Sequence, residues 1–307
     1  MTARKGQTAT KGGRVFSGGA TGMGTFAVDE PSERGEGRDT VLARNGGLEA
    51  RIATSPADIA ASQELRYQVF YREMSARGCA EIEAQQRDFD DFDKICDHLL
   101  AFDTRPPLRA DGGFRVVGTY RLLRQDVADA SCGFYTADEF DISPLKAKMR
   151  QGVRFLELGR SCTHKDYRTK PTIELLWKGI MAYVAMHRLD VMFGCASFEG
   201  TNPDDLAVPL SFLHHECRAP EDWRVHPLAD RYVRMDRIAR EDIHLRDALR
   251  ALPPLIKGYV RAGAYIGEGA VVDHQFGTTD VFVVLPVEAI AARYLGHFGP
   301  AANRHAA

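Results

Sequence analysis

An α/β fold, with a mixed central β-sheet flanked by helices, is what this 307-residue sequence predicts. Helix-period and strand-period segments alternate along the chain, and neighbouring strands could pair in either sense. One segment, PTIELLWKGIMAYVAMHR (171–188), is the clearest helix, with Ile173, Leu176, Trp177, Ile180, Met181 and Val184 on one face. Another, DVMFGCASF (190–198), is a continuous apolar run of the kind that forms a buried strand.

The elements follow in order. Residues 1–46 are rich in Gly, Ser, Thr and Arg and lack apolar periodicity, so they are expected to be disordered. One domain is expected over 47–295 and a flexible tail over 296–307. The domain opens with LEARIAT (48–54), which alternates as a strand does. Ser55 can cap a helix with Pro56 in its first turn, and that helix runs on through ADIAASQELRYQVFYREM (57–74). An acidic loop, RDFDDFDKICDH (87–98), leads into two strands, HLLAFDT (98–104) and FRVVGTYRLL (114–123), joined by a Pro/Gly turn. DEFDISPLKAKM (138–149) supplies short helices and FLELGRSCT (155–163) a strand. PDDLAVPLSFLHHEC (203–217) reads as a helix bent or restarted by Pro209. PPLIKGYVRAG (253–263) reads as a helix stopped by Gly263, and GAVVDHQFGTTDVFVVLP (269–286) as a hairpin-like strand pair.

Composition narrows the function classes. A net charge of −2 gives no global basic field for nucleic acid. The six cysteines form no CxxC pair and read as reduced thiols. No segment approaches the roughly 20 apolar residues of a membrane span, and the N-terminus lacks the apolar core of a signal peptide. A cytoplasmic protein is expected, with peripheral contact with the inner membrane left open.

The stretch ELGRSCTHKDYRTKPTIELLWKGI (157–180) reads as strand, short loop, helix. It resembles the acyl-thioester-binding core of GNAT-type acyltransferases. Their loop carries a Q/R-x-x-G-x-G/A signature whose amides hold the coenzyme A pyrophosphate. Here the matching run is Arg168-Thr-Lys-Pro-Thr-Ile173, and both glycines are missing. An acyl carrier protein presents a single phosphodiester, so the departure points away from coenzyme A as donor. Glu157-x-x-Arg160, Arg66-x-x-x-Phe70, Asp88-x-x-Asp91 and Arg121 resemble the acyl-homoserine-lactone synthases, which are GNAT-like and use acyl carrier proteins. The most extensive resemblance is to the ornithine-lipid synthases, in LRYQVFYREM, FDKICDHLL, GFYTADEFDISPL, ELGRSCTHKDYR, MFGCASFEGT, LHH and PPLIKGYVRAGAYIGEGAVVD, in the same order over residues 48–290. That resemblance implies a GNAT-like fold and a definite reaction. A 3-hydroxyacyl group passes from acyl carrier protein to the α-amino group of L-ornithine, giving lyso-ornithine lipid, the first step of ornithine lipid synthesis. It implies no cofactor beyond the donor's 4′-phosphopantetheine thioester.

Amide formation from a thioester needs a neutral amine, a polarised carbonyl and a thiolate leaving group. Removing the amine's proton is the hard part, because a thiol with a pKa of about 8.5 leaves readily. Glu157 sits in an otherwise apolar strand and suits a base whose pKa burial raises; the alternative is that it only pairs with Arg160. Arg160 could orient Glu157, bind a substrate carboxylate or form a structural ion pair. Lys165, Tyr167, Arg168, Thr169 and Thr172, at the start of the 171–188 helix, are expected near the carrier's phosphodiester. Asp91 and Asp97 are candidates for amine contacts. Arg66 and Arg121 could hold the amino acid carboxylate or the carrier phosphate, or brace the acidic loop.

Residues 146–170 hold eight Lys/Arg against Glu157 and Asp166, a plausible docking face for an acidic carrier. Residues 81–103 hold eight acids against Arg87 and Lys94, which would draw a cationic amino acid. Either run could equally be solvated surface. No metal is expected: adjacent His214 and His215 should not converge on one ion from a helix, and His98 stands outside any zinc spacing. Cys162 and Cys195 read as buried small hydrophobes rather than acyl carriers. Three alternatives remain open: the same chemistry on glutamine or glycine, a signal synthase of the homoserine-lactone type, and a non-catalytic membrane-active protein.

Overall fold

A computed structural model describes residues 41–74 and 76–290. The segment 1–40 and the tail 296–307 lie outside the described residues. The first described strand, β1 (Val41–Asn45), pairs antiparallel with β2 (Leu48–Ile52) through a Gly46-Gly47 turn. Gly46 has φ +59°, a conformation that glycine adopts without steric cost, and the Asn-Gly-Gly run is a hairpin signal that extends the domain into the segment expected to be disordered.

Helix α1 (Pro56–Tyr67) starts as expected: the Ser55 hydroxyl accepts the Asp58 amide at 3.1 Å and Pro56 needs no N–H partner there. It continues as a π-helical turn, Gln68–Glu73, rather than as one regular helix. A short helix, α2 (Ala80–Gln85), precedes the acidic loop, which folds into a 3₁₀ turn over Asp91–Lys94. Then come β3 (Asp97–Asp103), β4 (Arg115–Arg124), α3 (Gln125–Asp129), a 3₁₀ turn at Tyr135–Asp138, β5 (Phe140–Asp141) and α4 (Ser143–Met149). Strand β6 (Phe155–Thr163), helix α5 (Lys170–His187) and strand β7 (Val191–Glu199) form one crossover unit. The chain ends with α6 (Ala207–Glu216), β8 (His226–Pro227), α7 (Leu245–Ala251), α8 (Pro254–Ala262), β9 (Tyr265–Asp273) and β10 (Thr278–Pro286). Pro209 falls in the first turn of α6, where its missing N–H costs no intrahelical bond, so it neither bends nor restarts the helix.

Eight strands make one mixed sheet in the order β1-β2-β3-β4-β6-β7-β10-β9, with β5 and β8 forming a separate small pair. Every neighbour in the large sheet is antiparallel except β6 and β7, whose connection through α5 makes them parallel. One face carries α5, α6, α7 and α8 over a core that includes Leu99, Leu156, Leu176, Ile180 and Leu210. The other carries α1 over Leu100 and Phe102, and the 125–149 segment over Phe155, Phe193 and Phe282. The buried stripe of α5 runs through Thr172, Leu175, Leu176, Gly179, Ile180, Tyr183 and Val184, rotated from the expected face, and Ile173 is left 44 % exposed.

Candidate active site

Strands β6 and β7 pair only through Phe155↔Val191, Leu156↔Met192 and Glu157↔Phe193, although both continue for six more residues. They part immediately beyond Glu157. Gly194 stands at that point: a Cβ on it would lie 2.3 Å from the Leu158 carbonyl oxygen, so only glycine permits the close approach from which the strands diverge. A cleft of about 630 Å³ fills the opening. It reaches residues on both faces of the sheet, with Ile173, Leu176, Trp177, Pro254 and Leu255 on the α5 side and Arg121, Tyr135, Glu157, Arg160 and Phe276 on the other. The volume falls in the range of about 300–1,000 Å³ usual for ligand sites.

Glu157 is 4 % exposed and lines this cleft. Its Oε2 accepts the Tyr135 amide at 3.0 Å and its Oε1 accepts the Thr136 amide at 2.7 Å, at the start of the 3₁₀ turn. Burial pushes its pKa up, while the Thr136 and Tyr135 donors and the charge of Arg121 pull back. The net direction is upward, which suits a proton acceptor.

Arg160 is three residues on and would point to the opposite face in a regular strand. A bulge prevents that: between the Thr119↔Cys162 and Arg121↔Gly159 pairs, one residue of β4, Tyr120, lies opposite two of β6, Arg160 and Ser161, and Arg160 has φ +47°. The guanidinium thus lies 4.9 Å over the Tyr135 ring and 4.5 Å over Phe276, on the Glu157 side. It pairs with Asp88 at 3.3 Å and Asp90 at 3.2 Å, not with Glu157. Burial would lower its pKa, but Tyr135, Asp88 and Asp90 more than reverse this, so it stays charged.

Asp88 and Asp90 belong to a buried lattice of three arginines and three aspartates. Arg66 is fully buried and donates to Asp88 Oδ2 at 2.7 Å and to Asp93 at 2.9 and 2.7 Å. Arg121 donates to Asp90 and, at 3.3 Å, to Asp93. Burial pushes Asp93 up, yet the Arg66 hydrogen bonds and the charges of Arg66 and Arg121 hold it well below the usual carboxylate range. Burial leaves His98 neutral, with Nε2 3.0 Å from the Asp93 carbonyl.

These contacts correct several sequence expectations. Arg66 braces the acidic loop and has no access to a substrate. The acidic partners are Asp88, Asp90 and Asp93; Asp91 projects outward, with its side chain 89 % exposed and paired to Lys94. Asp97 binds Arg124 and Tyr183 away from the cleft. The acidic run is therefore no free cation trap, because its inner members are already neutralised. Of the five residues expected at the carrier phosphodiester, only Arg168 lines the cleft, donating to the Thr163 carbonyl at 3.2 Å and pairing with Glu73. Lys165 and Thr169 are exposed off the cleft, Thr172 is buried against Thr169, and Tyr167 donates to Asp103. The basic run is similarly spent in part, with Lys148 on Asp222, Arg154 on Asp190 and Lys170 on Glu174. His214, His215 and Asp236 do converge within 4.8 Å, contrary to the helical-spacing expectation. His215 Nε2 faces the Ile238 carbonyl at 3.0 Å and His214 Nδ1 faces Glu268 at 3.4 Å. Cys162 and Cys195 line the cleft, but burial pushes Cys162 up to about 12 and Cys195 well above the ordinary thiol value, so neither is a ready nucleophile.

Sequence reasoning missed Tyr135 and Thr136, whose backbone amides hold Glu157, and a second set of buried acids, Asp273, Asp280 and Glu139. Asp273 and Asp280 each interrupt a largely apolar segment, the same signal that singled out Glu157, whereas Glu139 sits in the acidic run ADEFD and is hidden among its neighbours.

Comparison with known proteins agrees with this architecture. Residues 65–178 match the acetyltransferase (GNAT) domain family. The chain is 53 % identical over 264 residues to an L-ornithine N(alpha)-acyltransferase of Brucella abortus, covering 86 % of this chain and 93 % of that protein. It is 51 % identical over 277 residues to one of Agrobacterium fabrum, covering 90 % and 94 %. Among solved structures, an N-acyl amino acid synthase from uncultured soil microbes superposes with a TM-score of 0.44 at 10 % identity, over 82 % of this chain and 98 % of that one.

Proposed function

Because this chain belongs to the L-ornithine N(alpha)-acyltransferase family, we propose that it transfers a 3-hydroxyacyl group from acyl carrier protein to the α-amine of L-ornithine, releasing lyso-ornithine lipid. The observation that carries this reading is the placement of Glu157, a buried carboxylate aimed into the cleft where β6 and β7 part. The thioester lies along the opening between the strands, where backbone groups without a strand partner can polarise its carbonyl. Glu157 accepts the proton of the α-amine, directly or through one water, as the nitrogen attacks. The C–N bond forms, the C–S bond breaks, and the pantetheine sulfur leaves as a thiolate that is then protonated. Written this way, the reaction calls on no resident cofactor.

The cleft's polarity supports an amphiphilic product. Ile173, Trp177 and Leu255 offer an apolar wall to the acyl chain, and the exposed Ile173 and Met74 stand among its lining residues. Arg160 and Arg121 offer fixed positive charge to the amino acid carboxylate, and Arg168 is the cleft's candidate for the carrier phosphodiester. Among the described residues no helix is long and apolar enough to cross a membrane.

The test is mass spectrometry of products from the purified protein given 3-hydroxyacyl carrier protein and an equimolar mixture of ornithine, glutamine, lysine and glycine. N-acylornithine is expected as the dominant product. Acylglutamine or acylglycine would overturn the ornithine reading, and a faster reaction from the coenzyme A thioester would overturn the carrier protein as donor.

A further inference from the structure

We propose that Asp280 and Asp273, backed by Glu139, form the pocket that receives the side-chain ammonium of the acceptor amino acid and selects a diamino acid over a neutral one. This rests on the acyltransfer reading above and adds the residues that would choose the amine.

The three carboxylates converge within 4.8 Å of one another. Asp273 and Asp280 line the same cleft as Glu157. Asp280 is 7 % exposed, and its Oδ1, buried in the cleft wall, has no hydrogen-bond partner among the described residues. The Thr278 and Ser197 hydroxyls lie beside it and only partly offset its burial. A buried acceptor left unbonded costs stability unless something else satisfies it. The cation that could do so is scarce locally: Arg231 reaches Glu139 at 3.3 Å, while Arg160 is held by Asp88 and Asp90. Among the described residues three acids thus share one bonded arginine, in contrast to the balanced lattice around Arg66. Burial and mutual repulsion accordingly push Glu139 up to about 7 and Asp280 up to about 6.

Position fits the ligand. Asp280 pairs across the sheet with Ser197, four residues along β7 from Phe193, the partner of Glu157. Four strand residues span about 13 Å along the strands, and the two inter-strand steps from β6 across β7 to β10 add about 10 Å sideways, so the backbones at Glu157 and Asp280 stand roughly 16 Å apart. An ornithine whose α-nitrogen meets Glu157 and whose δ-nitrogen meets Asp280 needs about 12 Å between the two carboxylates, from a nitrogen separation of roughly 6 Å and two hydrogen bonds of about 3 Å, a span that two side chains leaning toward one another from those backbones can present. Both carboxylates project to the same face, since residues 193, 195 and 197 alternate with Met192, Ala196 and Phe198 on the opposite core.

The experiment is calorimetric titration of the full-length protein with ornithine and with norvaline, which lacks only the δ-ammonium, followed by the same titrations on Asp280→Asn. Ornithine should bind the wild type about tenfold or more tightly than norvaline, and Asp280→Asn should remove that advantage without weakening norvaline. Equal binding of the two ligands by the wild type would overturn the proposal with no variant needed. So would an Asp280→Asn protein that keeps the ornithine preference, or a wild type in which magnesium, rather than ornithine, binds in an Asp280-dependent way. Selective ornithine binding without N-acylornithine in the product assay would instead leave the pocket standing and overturn the transfer reaction.

Discussion

Glu157→Gln should lower turnover by about 10²–10⁴-fold, the usual contribution of a positioned general base, while the protein still binds its acyl donor. Gln keeps the shape of Glu157 but cannot take the amine's proton. It also presents an NH₂ group to one of two backbone donors, Tyr135 N or Thr136 N, so some loss of stability should accompany the loss of rate. The pH profile separates the two effects. A base works when ionised, so wild-type kcat/KM should rise with pH through the Glu157 pKa, which burial places above the ordinary 4.5. That acid limb should vanish from the residual activity of Glu157→Gln. Wild-type turnover in the variant, or an unchanged acid limb, would remove Glu157 as the base.

Arg66→Met should destabilise the protein by about 3–5 kcal/mol, the cost of breaking a buried ion pair from one side. Met fills much of the volume but leaves Asp88 and Asp93 without their main donor. Chemical denaturation would read this as a lower midpoint. Because Asp93 has a depressed folded pKa, its contribution to stability is present at neutral pH and is lost as the solution is acidified through and below the ordinary carboxylate range. Arg66→Met should flatten that acid dependence. Activity should fall as well, since Asp88 and Asp90 position Arg160, and Asp90 and Asp93 position Arg121. A variant with wild-type stability would mean that the lattice contributes far less than its burial implies.

The strands and long helices were legible because their apolar periods are local: FLELGRSCT is β6 residue for residue, and α5 begins within one residue of its expected start. Glu157 was legible for a related reason, as a lone acid in an apolar strand. What failed needed knowledge of three-dimensional neighbours. Asp88, Asp90, Asp91 and Asp93 look alike in RDFDDFDK, and only the 3₁₀ turn decides that Asp93 faces Arg66 while Asp91 faces water. The bulge that puts Arg160 beside Glu157 leaves no mark in ELGRS, because it depends on register with β4. A count of charges along 81–103 suggested a cation trap, yet arginines distant in sequence neutralise it. Asp273 and Asp280 carry the unbalanced charge, in a hairpin read only as strands.

A crystal structure with N-acylornithine bound would test the account most directly. The acyl chain should run between β6 and β7 along Ile173, Trp177 and Leu255, with the new amide within hydrogen-bond reach of Glu157 and the side-chain ammonium against Asp280. A headgroup lying on the outer surface of the acidic loop, near Asp91 and Asp97, with the cleft between the strands unfilled, would contradict it.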